Sequence, residues 1–150
     1  MRIETQYSIF MVNKPGLLAK VLTEIAAAKI NIVAMTMMDS IEHGVMRLVC
    51  GSPKKIRKVL TKLNMPYNET EVLCVTLSNK AGALASIVQK LAHARINISY
   101  AYVTAGAKGG KTTGILKVAD VKKSMKVLES HINRKAKSGP TVRRSPASRK

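Results

Sequence analysis

Residues 12–33, VNKPGLLAKVLTEIAAAKINIV, read as a turn, an amphipathic helix and the start of a strand; residues 77–99, LSNKAGALASIVQKLAHARINIS, repeat nearly the same message. Asn13 matches Asn79, Gly16 matches Gly82, Leu18 matches Leu84, Ala26 matches Ala92, and Asn31 and Ile32 match Asn97 and Ile98, every pair 66 residues apart with no gap. An ungapped internal repeat outranks the single domain that 150 residues would otherwise suggest.

Working outward, each copy obeys one grammar. IETQYSIFMV (3–12) is rich in β-branched and aromatic residues and ends at a turn signal, so it reads as a strand. Pro15 suits the first turn of a helix, where its missing N–H is not needed. Leu17, Leu18, Val21, Leu22 and Ile25 follow at helical spacing. Strands are expected at 31–38 and 43–50, joined by a hairpin turn in DSIEHG, and Pro53 opens a helix with Ile56, Val59, Leu60 and Leu63 inward. YNETEVLCVTL (67–77) is a strand that runs directly into the second copy, which gives a helix at 81–94, strands near 96–104 and 112–118, and a helix near 120–132.

The order strand–helix–strand–strand–helix–strand predicts an α+β fold: two tandem ferredoxin-like βαββαβ units, antiparallel sheets with helices on one face. Expected boundaries are 1–70 for the first unit, 71–133 for the second and 134–150 for a basic disordered tail. The second unit lacks a sequence for its last strand. No linker separates the copies, so 68–77 should be continuous extended chain.

Composition narrows the function. No apolar run approaches the ~20 residues of a membrane span, and MRIETQYSIF carries no signal-peptide pattern, so a cytoplasmic, non-membrane location is expected. Cys50 and Cys74 sit in apolar stretches as small buried side chains. His43, His93 and His131 stand apart from any catalytic or metal-binding spacing; neither metal nor cofactor is expected, and no catalytic set can be assembled. GAKGGKTTG (106–114) has three residues between its glycines where a P-loop needs four, and TTGILKV after it reads as a strand. Met35, Met37, Met38 and Met46 are expected to pack in the core or an interface. The charge is +18, with 26 basic and 8 acidic residues; the segment after residue 133 holds seven of the bases and no acid, leaving 19 against 8 elsewhere. Non-specific polyanion contact through the tail follows. A nucleic-acid-binding protein on this scaffold is the alternative reading, yet the middle strands GVMRLVC and TTGILKV offer no aromatic platform for bases.

Asn-Lys-x-Gly before a helix has two readings. Asn13 and Asn79 could cap helices while Asn31 and Asn97 merely begin strands. Alternatively, helix N–H groups beside a glycine could receive a carboxylate, with an asparagine holding an amine.

NKPGLLAKVLTEIAAAKINIVAM and NKAGALASIVQKLAHARINISYAYV resemble the start of the ACT domain, the regulatory amino-acid-binding module, and NETEVLCVTLSNKAGALA resembles the joint in small stand-alone two-ACT proteins. The resemblance covers roughly residues 3–132. It implies a non-catalytic regulatory protein with its amino-acid ligand between ACT units, a homodimer, and signalling to a partner enzyme or regulator. By position the implied ligand-binding residues are Asn13, Gly16, Leu17, Leu18 and Asn31, and in the second copy Asn79, Gly82, Ala83, Leu84 and Asn97. Two departures stand out: Met11 and Leu77 occupy positions that are polar in some amino-acid-binding members, and Ala81 replaces Pro15 in the second copy.

Overall fold

The computed structural model describes residues 1–38, 43–104 and 110–137. The elements are β1 (Arg2–Val12), α1 (Leu17–Ala27), β2 (Ile32–Met38), β3 (His43–Cys50), α2 (Pro53–Lys62), β4 (Tyr67–Ser78), α3 (Ala83–His93), β5 (Ile98–Val103), β6 (Lys111–Val118) and α4 (Val121–Lys137). The last helix runs past its expected end near 132. The DSIEHG turn and the AGAKG stretch fall largely outside the described residues, as does the tail from 138 on.

The strands make a single antiparallel sheet, ordered β2-β3-β1-β4-β6-β5. Separate sheets for the two units are therefore replaced by one shared sheet, because β4 closes the first unit and opens the second without a break. Its residues 67–74 pair with β1, and 73–78 pair with β6. β1 also supplies what the second unit lacks: its N-terminal half lies against β4 where that unit's own last strand would be. The register reflects the duplication. Thr5 pairs with Glu71, its own repeat-mate, so a pseudo-twofold axis passes through this pair. Irregularities between Ile32 and Ala34 and between Ile98 and Tyr100 recur at the same repeat positions.

Strand alternation sorts the residues into two faces. Tyr7, Ile9 and Met11 of β1 with Met46, Leu48 and Cys50 of β3 bury against α1 and α2. Leu73, Val75 and Leu77 of β4 with Leu116 and Val118 of β6 bury against α3 and α4, and Met1 and Ile3 join this second core. All four helices thus cover one face. The other face is strongly concave. β3 and β5 are separated by three strands, which in a flat sheet would be about 19 Å; yet the Arg47 guanidinium carbon lies 3.7 Å from the centroid of the Tyr100 ring. Ala34, Val49, Val72, Cys74 and Ile115 fill the bottom of this curve.

Three helices end alike. Lys29, Asn64 and Arg95 take left-handed backbone with φ of 54°, 56° and 55°, and the next N–H reaches back to the carbonyl five residues earlier: Ile30 to Ile25, Met65 to Leu60, Ile96 to Leu91. This explains the repeated Ile-Asn-Ile. Ile30 and Ile96 turn inward to the core, while Asn31 and Asn97 remain exposed just before their strands.

Candidate ligand-binding site

The segment Lys14-Pro15-Gly16-Leu17 is a type II turn. Leu17 N–H donates to the Lys14 carbonyl at 3.3 Å, and Gly16 has φ 84° and ψ −15°. Lys80-Ala81-Gly82-Ala83 repeats it, with Ala83 N–H to the Lys80 carbonyl at 3.2 Å and Gly82 at φ 82°. Pro15 therefore precedes the helix and does not form its first turn: a φ above zero at Gly16 cannot belong to a right-handed helix. Gly16 and Gly82 are themselves the N-caps, and neither helix has a side-chain cap. The capping reading of Asn13 and Asn79 is thereby set aside.

In the first copy the turn borders a cleft of about 290 Å³ lined by Met11, Val12, Asn13, Lys14, Leu17, Leu18, Met37, Met38 and Gly44. The first intrahelical bond runs from Lys20 N–H to the Gly16 carbonyl, so the N–H groups of Leu18 and Ala19 have no helical acceptor. Lys14 adds positive charge, and no acidic residue lies in the first turn or in the lining. The wall beyond the loop is apolar.

Of the residues expected from sequence, Asn13, Leu17 and Leu18 line this cleft, and Gly16 shapes it from the turn. Asn31 does not reach it: α1, about 16 Å long, separates the two asparagines. Asn97 stands in the same relation to Asn79. The two copies' turns also lie far apart, because β1 and β4 are antiparallel: Asn13 and Asn79 each follow the Thr5–Glu71 axis by eight residues in opposite directions, roughly 50 Å in all. They cannot share one ligand.

Gly44, Met37 and Met38 were not legible as site residues. Met46 is fully buried as expected, but Met35, Met37 and Met38 are exposed on the β2 edge. Gly44 pairs with Met11, and its counterpart Thr112 pairs with Leu77. A Cβ at Gly44 would meet Met37 Cε at 3.7 Å. In the second copy that position carries a branched side chain: the Thr112 hydroxyl donates to the Thr104 carbonyl, and Thr113 N–H donates to Thr104 Oγ1 at 3.1 Å. Ala83 and Leu84 hold the places of Leu17 and Leu18, and Asn79 N–H donates to the Gly110 carbonyl at 2.9 Å. Two extra residues in the second hairpin shift the repeat offset from 66 to 68, which hides the Gly44–Thr112 match from a simple alignment of the copies.

Among the described residues no cluster of His, Cys, Asp and Glu could hold a metal ion, and no helix is long and apolar enough to cross a membrane.

No curated protein matches the chain at a significant level. Among solved structures it is similar to protein BT0572 from Bacteroides thetaiotaomicron, with 27% identity over 87% of this chain and 89% of that one and a TM-score of 0.80. The regulatory subunit of aspartate kinase from Thermus thermophilus, ligand-free, shares 11% identity over 87% and 97% with a TM-score of 0.63. E. coli aspartokinase III in complex with lysine and aspartate shares 17% over 87% and 31% with a TM-score of 0.55. These last two likenesses show the fold alone. Residues 1–135 match the family described as an ACT domain pair. With that match spanning nearly all of the sequence, the chain belongs to the ACT domain pair family.

Proposed function

We propose that this protein is a non-catalytic regulatory module that binds one amino acid with an apolar side chain in the Asn13–Leu18 cleft of its first copy. The observation that carries the reading is the cleft's composition. Helix N–H groups, Lys14 and a side-chain amide suit the carboxylate and amine of an amino acid; Met11, Leu17, Leu18, Met37 and Met38 suit a hydrocarbon side chain, and no lining carboxylate would receive a basic one. In the second copy Thr112 stands where the first has Gly44, so the reading assigns binding to the first copy and a scaffold role to the second.

The cleft opens beside the β2 edge, where Met37 and Met38 are nearly half exposed. An uncovered apolar edge strand is an aggregation hazard. A homodimer joined along β2 covers it and places a second chain over the ligand, where Asn31 of that chain can contribute. Ligand-dependent dimer geometry is then the signal passed to a partner enzyme or regulator. The E. coli aspartokinase structure, which contains lysine and aspartate, is consistent with amino-acid control on this fold.

A thermal-shift screen of the twenty amino acids tests the proposal, because a ligand bound only by the native state raises its stability. An apolar amino acid should raise the melting temperature of the wild type. No shift from any amino acid at millimolar concentration refutes amino-acid sensing by this protein.

A further inference from the structure

The concave face of the sheet holds a second groove, of about 430 Å³, that shares no residue with the Asn13 cleft. Ser8, Arg47, Asn68, Thr70, Tyr100 and Lys117 line it, and no carboxylate does. Arg47 is half-buried and makes no ion pair among the described residues. Its guanidinium carbon lies over the Tyr100 ring, 3.7 Å from the centroid, a contact that restrains the group while its N–H edge can still make a bidentate contact. Lys117 pairs across the ladder with Tyr100; its ammonium donates one hydrogen bond to the Glu71 carbonyl at 3.4 Å and keeps two N–H groups to offer.

The floor of the groove is arranged to donate. Gln6 is fully buried. Its Nε2 donates to Tyr100 Oη at 2.7 Å and to Ser8 Oγ at 3.2 Å, and its Oε1 accepts from Tyr102 Oη at 3.1 Å. Each of the two recipient hydroxyls thus has an acceptor site filled from below and its own proton left to offer upward. Two cations and two hydroxyl donors converge on a groove with no carboxylate in its lining.

We propose that this groove binds the oxyanion group, phosphate or carboxylate, of a small metabolite. Arg47 supplies the bidentate contact, Lys117 the point charge, and Gln6 orders the hydroxyls of Ser8 and Tyr100 as donors. The ligand bridges β3 and β5, one strand from each copy, and so ties the two halves of the curved sheet together.

The full-length protein is titrated at constant ionic strength with inorganic phosphate and, separately, with succinate, following the melting temperature. Wild type should be stabilised by a few degrees by at least one of them. Phosphate acting alone assigns a phosphorylated ligand, and succinate alone a carboxylate. Lys117→Gln and Arg47→Gln should each reduce the apparent affinity at least tenfold, whereas Lys20→Gln, which removes a surface charge elsewhere, and Asn13→Ala should leave it unchanged. Retention in Asn13→Ala separates this site from the amino-acid cleft. The proposal is overturned if neither anion stabilises the wild type, or if Lys117→Gln, whose exposed terminus is dispensable for folding, responds as the wild type does.

Discussion

Asn13 was ambiguous in the sequence because the same residue type serves a helix cap and a ligand. The geometry separates the roles: Gly16 occupies the cap, leaving the Asn13 side chain at the cleft. Asn13→Ala should consequently weaken amino-acid binding by about one to two decades, as expected for a lost hydrogen bond to a charged group, with little change in stability; a stability loss of about 1 kcal/mol without a binding change would restore the capping role. A different residue-scale test concerns the thiols. Burial, with a smaller contribution from Glu4, pushes the Cys74 thiol from 9.0 up to about 11, and burial also raises Cys50, Tyr7 and Tyr102. For such a group the unfolded chain releases its proton first. Stability from Cys74 is intact below about pH 9 and falls as pH rises towards 11, with a slope approaching about 1.4 kcal/mol per pH unit. Urea melts between pH 8 and 11 check this, and Cys74→Ala should show a shallower decline.

At the level of elements, periodicity and turn chemistry made most of the fold readable. The apolar stripe of α1, the continuous apolar run Val72–Val75 in β4 and Pro53 at the start of α2 are local signals, and each element formed where they stand. Pro15 misled because Pro-Gly supports two readings. As i+1 and i+2 of a type II turn the pair sets the chain direction before the helix begins, and only the φ of Gly16 distinguishes that from a proline in the first helical turn. A Cβ would find open space at both Gly16 and Gly82, so substitution there is limited by backbone strain alone. Gly16→Ala and Gly82→Ala should each cost about 1 kcal/mol or more, and Gly51→Ala, also in open space but without a positive φ, should be nearly neutral. Conversely, Lys29→Gly should stabilise by up to about 1 kcal/mol by relieving left-handed strain at the end of α1. Chemical denaturation of the four variants compares them directly.

Across the whole molecule, the joining of two units into one sheet was not legible, because strand pairing between copies depends on which edge is open in three dimensions and not on local pattern. Among the described residues the second copy has no last strand of its own, an expectation the sequence carried; the use of β1 in that place was not legible. Ile3, carried by a strand of the first copy, packs in the core of the second. Ile3→Ala should therefore cost about 1–2 kcal/mol, below the range for a fully buried isoleucine, and should lower hydrogen-exchange protection in β6 as well as β1. The duplication leaves the copies unequal in a way that Gly44 and Thr112 make concrete: one copy has a glycine in the wall of its cleft, while the other has a hydrogen-bonded threonine at that position. Calorimetric titration with the apolar amino acid that gives the largest thermal shift tests this asymmetry most directly. One amino acid should bind per chain, Gly44→Thr should abolish the binding, and Thr112→Ser should leave it intact. Two equivalent sites per chain, or a Gly44→Thr titration indistinguishable from wild type, would contradict the account.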